Sequence, residues 1–204
     1  AYKRTNCPYL ILDIRGNSGG NDAIWEPFLE ILADHLPKKP WRVLFRNTPM
    51  NREVLLKQGD TNIVEKARQS KAQFVPLSEE NNNEEMPFIA SHLKKAAILV
   101  DSRTASSGET LARFVKDYCH RGKIYGQDPT SGANLSGNIA PFQLPHSGIT
   151  CYYPVCVDED FALQIKTKEI GIKPDIKIPL PLPASLKDHI DTWVVWVAKS
   201  LKSD

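Results

Sequence analysis

Apolar positions along the chain alternate between two periodicities. Tyr9 to Ile14, "YLILDI", is almost unbroken in apolar residues, the pattern of a strand covered on both faces. Ile24, Phe28, Ile31, Leu32 and Leu36 then recur at helical spacing, with Asn21 or Asp22 as cap and Pro37 as stop. "WRVLF" reads as a second strand, followed by a polar, helix-compatible stretch from Asn51 to Gln73, and "LSEENNNEEMP" reads as an acidic loop. "KKAAILVD" predicts a third buried strand, leading through "SRTASSGE" into a helix with Leu111, Phe114, Val115 and Tyr118 on one stripe. "GKIYGQ" predicts another short strand. From Gly137 to Ile178 the pattern is β-rich, with turns at "LPHSG", "VDED" and "KPD". Beyond "PLPLPAS", Ser185 is expected to cap a last helix carrying Leu186, Ile190, Trp193, Val194, Val197 and Leu201.

Strand–helix–strand alternation predicts an α/β fold with a mostly parallel sheet, right-handed crossovers and flanking helices, in one domain over residues 1–204. The composition, 41% hydrophobic and 25% charged, is that of a globular chain able to bury its own core. A net charge of +2 with both signs interspersed gives no basis for a nucleic-acid surface, and no apolar run reaches the length of a membrane span. The four cysteines have neither metal-site spacing nor the density of a disulfide scaffold, so no metal or cofactor is expected. Cys151 and Cys156 lie at an odd separation in one strand and should face opposite sides. The chain opens "AYKRTNCPYLILDI", eight residues before a core strand, and reads as a piece of a longer protein.

In such sheets, sites form where strand ends run into helices. Two loops fit. "RGNSGG" crowds Gly16, Gly19 and Gly20 into five positions, where positive φ and close backbone approach are permitted. "SRTASSGE" places Ser106 and Ser107 at a helix N-terminus, where the dipole and adjacent amides could stabilise an oxyanion. The plain alternative is an N-cap serine with Glu109 completing a capping box. Both loops in one chain favour chemistry over capping.

These two segments, "LILDIRGNSGG" and "AAILVDSRTASSGETLARFV", resemble the glycine and nucleophile signatures of the S41 serine peptidases, the family of tricorn and the C-terminal processing peptidases. "GQDPTSGAN" is similar to the family's Gly-x-x-Thr turn, and "FQLPHSGITCYYP" and "KEIGIKPDIKIP" are similar to its closing β segments. Five blocks in order over residues 9 to 178 carry the resemblance. It implies a ClpP/crotonase-like core and peptide-bond hydrolysis of a polypeptide substrate, without a cofactor. The nucleophile falls on Ser106 and the family's acidic position on Glu109. The oxyanion donors fall on the N–H of Ser107 and that of Gly19 or Gly20, with Thr130 in support. Asp13 and Arg15 are read as orienting the loop, more simply as a structural ion pair.

Where tail-specific peptidases place a lysine, about twenty-five residues beyond the serine, to act as an amine base, this chain reads "PTSGANLSG". The tricorn-like branch uses Ser-His-Glu chemistry instead, with Ser-x-Gly-acid at the nucleophile, as in Ser106 to Glu109; its late acid maps onto Glu169. Its histidine comes from a segment upstream of this domain. Of the chain's own histidines, His120 lies fourteen residues beyond Ser106, roughly 20 Å along a helix. His35 is similarly remote, and His92 lies at the wrong end of its strand. His146 and His189 stay open. Three readings follow: a tricorn-like serine endopeptidase core, weakly active or inactive as this piece alone; a non-catalytic peptide-binding module on the same scaffold; and a crotonase-type acyl-CoA enzyme, which "GIKPD" and Ser-x-Gly-Glu disfavour. The resemblance implies an exported protein, periplasmic or lipoprotein-anchored, with a cytoplasmic location the alternative.

Overall fold

A computed structural model of the chain describes residues 6–34, 42–77, 92–162, 171–180 and 189–203. They group into two compact units, the first drawn from 1–38, 84–133 and 169–204, the second from 39–83 and 134–168.

The first unit is built on a four-stranded, fully parallel sheet. Its strands are β1 (Tyr9–Asp13), β4 (Lys95–Leu99), β5 (Gly122–Gly126) and β8 (Ile176–Lys177), in the order β1-β4-β5-β8. The register sets Tyr9 opposite Lys95 and Asp13 opposite Leu99, so β1 and β4 end at the same edge. Their unbroken apolar runs follow from burial on both faces. Ala96, Ile98 and Ile124 face a cluster with Ile31, Leu32, Leu111, Ala112 and Val115. Ala97, Leu99 and Tyr125 face another with Ile178, Val197 and Leu201. Helix α4 (Ser107–Tyr118) therefore covers one face and α6 (Thr192–Ser200) the other. Asp191 caps α6, its carboxylate accepting from the N–H groups of Trp193 and Val194; the predicted cap, Ser185, lies outside the described residues.

The helix predicted from Ile24 onward is instead two 3₁₀ turns, Asp22–Ile24 and Glu26–Phe28, followed by the short α1 (Leu29–Leu32). Pro27 has no N–H to donate four residues back, which interrupts a continuous α-helix there. Asn21 does cap the first turn, accepting from Ala23 N–H at 3.0 Å.

The second unit carries an antiparallel sheet in the order β3-β2-β7-β6, from β2 (Val43–Arg46), β3 (Phe74–Pro76), β6 (Ser136–Gln143) and β7 (Thr150–Asp158). "WRVLF" thus joins this sheet and not the parallel one. The polar stretch after it is two helices, α2 (Pro49–Gln58) and α3 (Thr61–Gln69), separated at Gly59. Thr48 caps α2 by accepting from Asn51 N–H. The turn at "LPHSG" joins β6 to β7, and "VDED" leads into the short α5 (Glu159–Ala162). Along β7, Cys156 enters the unit's core with Phe45, Leu55, Val64 and Val155, whereas Cys151 is half-buried. The acidic loop, apart from Leu77, lies outside the described residues.

Two features of the first unit can be tested. Gly171 has φ +79°, and a Cβ there would stand 2.2 Å from the Thr130 carbonyl oxygen. Gly171→Ala should lose about 3 kcal/mol, from overpacking plus strain. Gly59→Ala, also at positive φ but with nothing within 4 Å, should lose about 1 kcal/mol. Equal losses in urea titrations would remove close approach as the reason for glycine at 171. Asp34, after α1, accepts from Arg121 Nη2 at 2.8 Å and from His120. Burial alone would raise its pKa, but these bonds outweigh it and hold it below the ordinary 3.8. Its contribution to stability is present above 3.8 and disappears as pH falls through the lower folded-state value. Asp34→Asn should therefore flatten the acid limb of the stability–pH curve and lower stability near neutrality.

Candidate active site

The loops leaving β1 and β4 are stitched together by the backbone. Ile14 N–H donates to Leu99 O at 3.0 Å and Ala105 N–H to Asn17 O at 2.8 Å. The fully buried Thr104 hydroxyl donates to Ile14 O at 3.0 Å. Asp101 accepts from Gly16 N–H at 2.9 Å and from Arg103. Those bonds, Gly16's first, overcome burial and hold its carboxyl below the usual range. Each turn thus supplies the partners the other lacks.

Between them stands Ser106, with φ +49° and ψ −117°. An ordinary N-cap is extended, so capping does not explain this backbone, which lies in a sparsely populated region. Gly19 presses on it directly: a Cβ at position 19 would lie 2.7 Å from Ser106 Cβ and 3.2 Å from its Oγ. Gly19 and Gly20 have φ of +110° and +144°. The Gly19 N–H is already engaged, donating to Asn17 Oδ1 at 2.8 Å. Among the described residues, the N–H groups of Gly20 and Ser107 have no protein acceptor. Of the two alternatives in the glycine turn, Gly20 is therefore the one with a donor to spare.

Glu109 sits one turn into α4 and is fully buried. Its Oε2 accepts from Ser106 N–H at 3.1 Å and from Ser131 Oγ at 3.3 Å; its Oε1 accepts from Thr130 Oγ1 at 2.5 Å and Gly132 N–H at 2.7 Å. The carboxylate so ties the serine turn to the 130–132 turn. Thr130 Oγ1 in turn accepts from Ile172 N–H at 2.7 Å, and Asp175 Oδ2 accepts from Ile124 N–H at 2.8 Å. The "GIKPD" segment is thus pinned to both the turn and β5. Glu169 lies outside the described residues.

Asp13 and Arg15 form a two-pronged pair, Nε to Oδ1 at 2.8 Å and Nη2 to Oδ2 at 2.5 Å. Arg15 also pairs with Asp191 and stands 5.2 Å over the Trp193 ring. Its hydrogen bond to Asp13, aided by Asp191, raises its pKa. The pair joins the β1 loop to the start of α6.

A pocket of about 270 Å³ opens beside this constellation, lined by the apolar Leu12, Ile14, Ile24, Trp25, Phe28 and Leu111, by Gly19, Gly20, Ser107 and Gly108, and by the polar Asp13, Asn17 and Asn21. Trp25 Nε1 donates to Ser107 Oγ at 3.1 Å. Neither Asn17 nor Trp25 stood out in the sequence. A signal for Asn17 lies in its place at the polar centre of "RGNSGG", whereas Trp25 stands outside the stripe of Ile24, Phe28, Ile31, Leu32 and Leu36 and carries none. His120 pairs with Asp34 beyond the far end of α4, and His92 precedes β4 at the edge opposite Ser106. His146 belongs to the β6–β7 turn of the second unit, and His189 is exposed before α6. Burial pushes the thiols of Cys119 and Cys156 up to about 11, away from nucleophilic use. Among the described residues no group of three His, Cys, Asp or Glu could hold a metal ion, and no helix is long and apolar enough to cross a membrane.

Solved structures share the fold. A mutant of CPAF superposes with a TM-score of 0.64 at 20% identity, over 97% of this chain and 43% of that one. Mature CPAF gives 0.61 at 17% identity, over 97% and 44%. A candidate peptidase from Parabacteroides merdae gives 0.60 at 17% identity, over 97% and 53%. The chain spans about half the length of these proteins, or less. No curated protein sequence matches it. The model of peptidase family S41 matches residues 1–178. With a parallel α/β core and these two loops at its edge, the chain belongs to peptidase family S41.

Proposed function

We propose that this chain is the core of a tricorn-like serine endopeptidase in which Ser106 is the nucleophile. The observation that carries the reading is the meeting of Ser106, in its strained turn, with a glycine turn whose Gly20 N–H, like that of Ser107, has no protein acceptor among the described residues. Ser106 Oγ bonds to the scissile carbonyl carbon as its proton passes to the base. The carbonyl oxygen becomes an oxyanion, received by the N–H groups of Ser107 and Gly20. The C–N bond then breaks, the base returns the proton to the leaving amine, and water releases the acyl group from Ser106. The base in this reading is a histidine encoded upstream of residue 1, with Glu169 as its acid.

Glu109 is assigned a positioning role. An amphipathic helix start already favours a carboxylate, and its bond to Ser106 N–H fixes the direction in which the Oγ leaves the backbone. Thr130 fixes Glu109 in turn, and Asp13 with Arg15 anchors the base of the glycine loop.

A form of the protein extended upstream along its natural sequence should be labelled at Ser106 by a fluorophosphonate, and Ser106→Ala should abolish the label. Label undiminished in Ser106→Ala would overturn the assignment, whereas peptide binding without any label would favour the non-catalytic module. Glu109→Gln would turn an amide donor toward groups that now donate to it. It should lose about 3 kcal/mol of stability and slow labelling more than Thr130→Ser, which keeps the hydroxyl. Equal labelling rates for wild type and Glu109→Gln would remove the positioning role.

A further inference from the structure

We propose that the pocket beside the glycine turn receives an apolar side chain of the bound polypeptide, and that Trp25 couples its filling to Ser107. This rests on the reading of Ser106 as nucleophile, because the position of Ser106 identifies the occupant. Gly19 and Ser107 are at once pocket wall and neighbours of Ser106, one in space and one in the chain, and Gly20, next after Gly19, lines the same pocket. A peptide whose carbonyl reaches the N–H groups of Gly20 and Ser107 therefore carries a neighbouring side chain past the pocket mouth.

The walls decide the chemistry. Leu12, Phe28 and Leu111 are apolar, and Ile24, 75% exposed, stands at the rim. The polar groups nearby are already satisfied: Asp13 by Arg15, Asn21 by Ala23 N–H, and Asn17 by Gly19 N–H. A charged side chain would lose water there and gain no partner. A leucine or phenylalanine side chain would remove apolar surface from water without that penalty.

Trp25 belongs to both systems. Its ring lines the pocket and lies 6.2 Å, centroid to centroid, from Phe114 of α4. Its Nε1–H donates to Asp22 Oδ1 at 3.2 Å and to Ser107 Oγ at 3.1 Å. A side chain pressing on the indole therefore acts through one hydrogen bond on the first residue of α4, whose own N–H is a proposed oxyanion donor.

The test titrates the ¹⁵N-labelled 204-residue chain with acetyl-Ala-Ala-X-amide peptides, X being Leu, Phe, Ala, Asp or Lys. Leu and Phe should bind about tenfold more tightly than Ala, Asp or Lys, moving the Trp25 indole signal and the amides of Gly20 and Ser107. Ile24→Asp, at an exposed position, should shift the preference toward Lys. Trp25→Phe should keep the preference for Leu while the Ser107 amide shift, which the peptide carbonyl still moves, no longer differs between the Leu and Ala peptides at saturation. Affinity independent of X, no binding, or an order untouched by Ile24→Asp would overturn the subsite; a Leu–Ala difference at the Ser107 amide unchanged in Trp25→Phe would overturn the coupling. Fluorophosphonate labelling of the upstream-extended form separates the two readings. Selectivity without a labelled Ser106 leaves a binding site and removes catalysis, and a labelled Ser106 without selectivity removes the subsite alone.

Discussion

The approach of Gly19 to Ser106 limits everything built around it. With an imagined Cβ only 2.7 Å from that of Ser106, and φ at +110°, no side chain fits at position 19. The two turns therefore touch backbone to side chain, and the next residue along, Gly20, lines the same pocket as Ser107. This closeness is a consequence of the parallel sheet. Because Asp13 and Leu99 end β1 and β4 side by side, the following loops leave from one edge and need only a few bonds to lock. An antiparallel pair would send them to opposite ends.

Holding Ser106 away from an extended cap conformation costs on the order of 1–3 kcal/mol. Glu109 is suited to offset that. Hydrogen bonds to a charged acceptor contribute about 1.5–3 kcal/mol each, and its carboxylate accepts four, one of them from Ser106 itself. A single such bond is of the size of the strain, and the others anchor the carboxylate to the 130–132 turn. The buried charge is tolerable because its donors converge on it at the N-terminus of α4. The capping box and the proposed nucleophile are thus compatible in one arrangement: the acid braces the turn that carries Ser106.

The parallel core was legible in the sequence because its strands are apolar on both faces, a pattern that only a doubly covered sheet produces; "YLILDI" and "KKAAILVD" are β1 and β4. The glycine turn and a serine-bearing helix start were legible from residue type and order, and the resemblance to the family singled out Ser106 from Ser107. What escaped was of two kinds. "WRVLF" has the composition of a core strand, and nothing local tells which sheet it joins, since that depends on β7, more than a hundred residues later. The broken helix after Asn21 has the right apolar spacing, but periodicity does not register the missing N–H of Pro27. Trp25 escaped because it stands outside the stripe read from the spacing, and only its indole N–H, aimed at Ser107, marks it out.

Burying polar groups is unfavourable unless every one is satisfied, so a fold gains nothing by scattering them. Among the described residues the buried polar ones are Asn51, Thr104, Ser107, Glu109, Thr130 and Asp158. Four of the six, Thr104, Ser107, Glu109 and Thr130, lie in the serine loop, the first turn of α4 and the 130–132 turn, and each is hydrogen-bonded there. Packing alone could have filled those positions with alanine or valine, as it did at Ala96, Ala97 and Val100 a few residues earlier. The change from a wholly apolar strand to a dense polar network within six residues fixes the backbone of the turn more narrowly than apolar contacts would, since hydrogen bonds are directional. That narrowness is what two amides and a hydroxyl need if they are to meet the oxygen and the carbon of one substrate carbonyl group before it arrives.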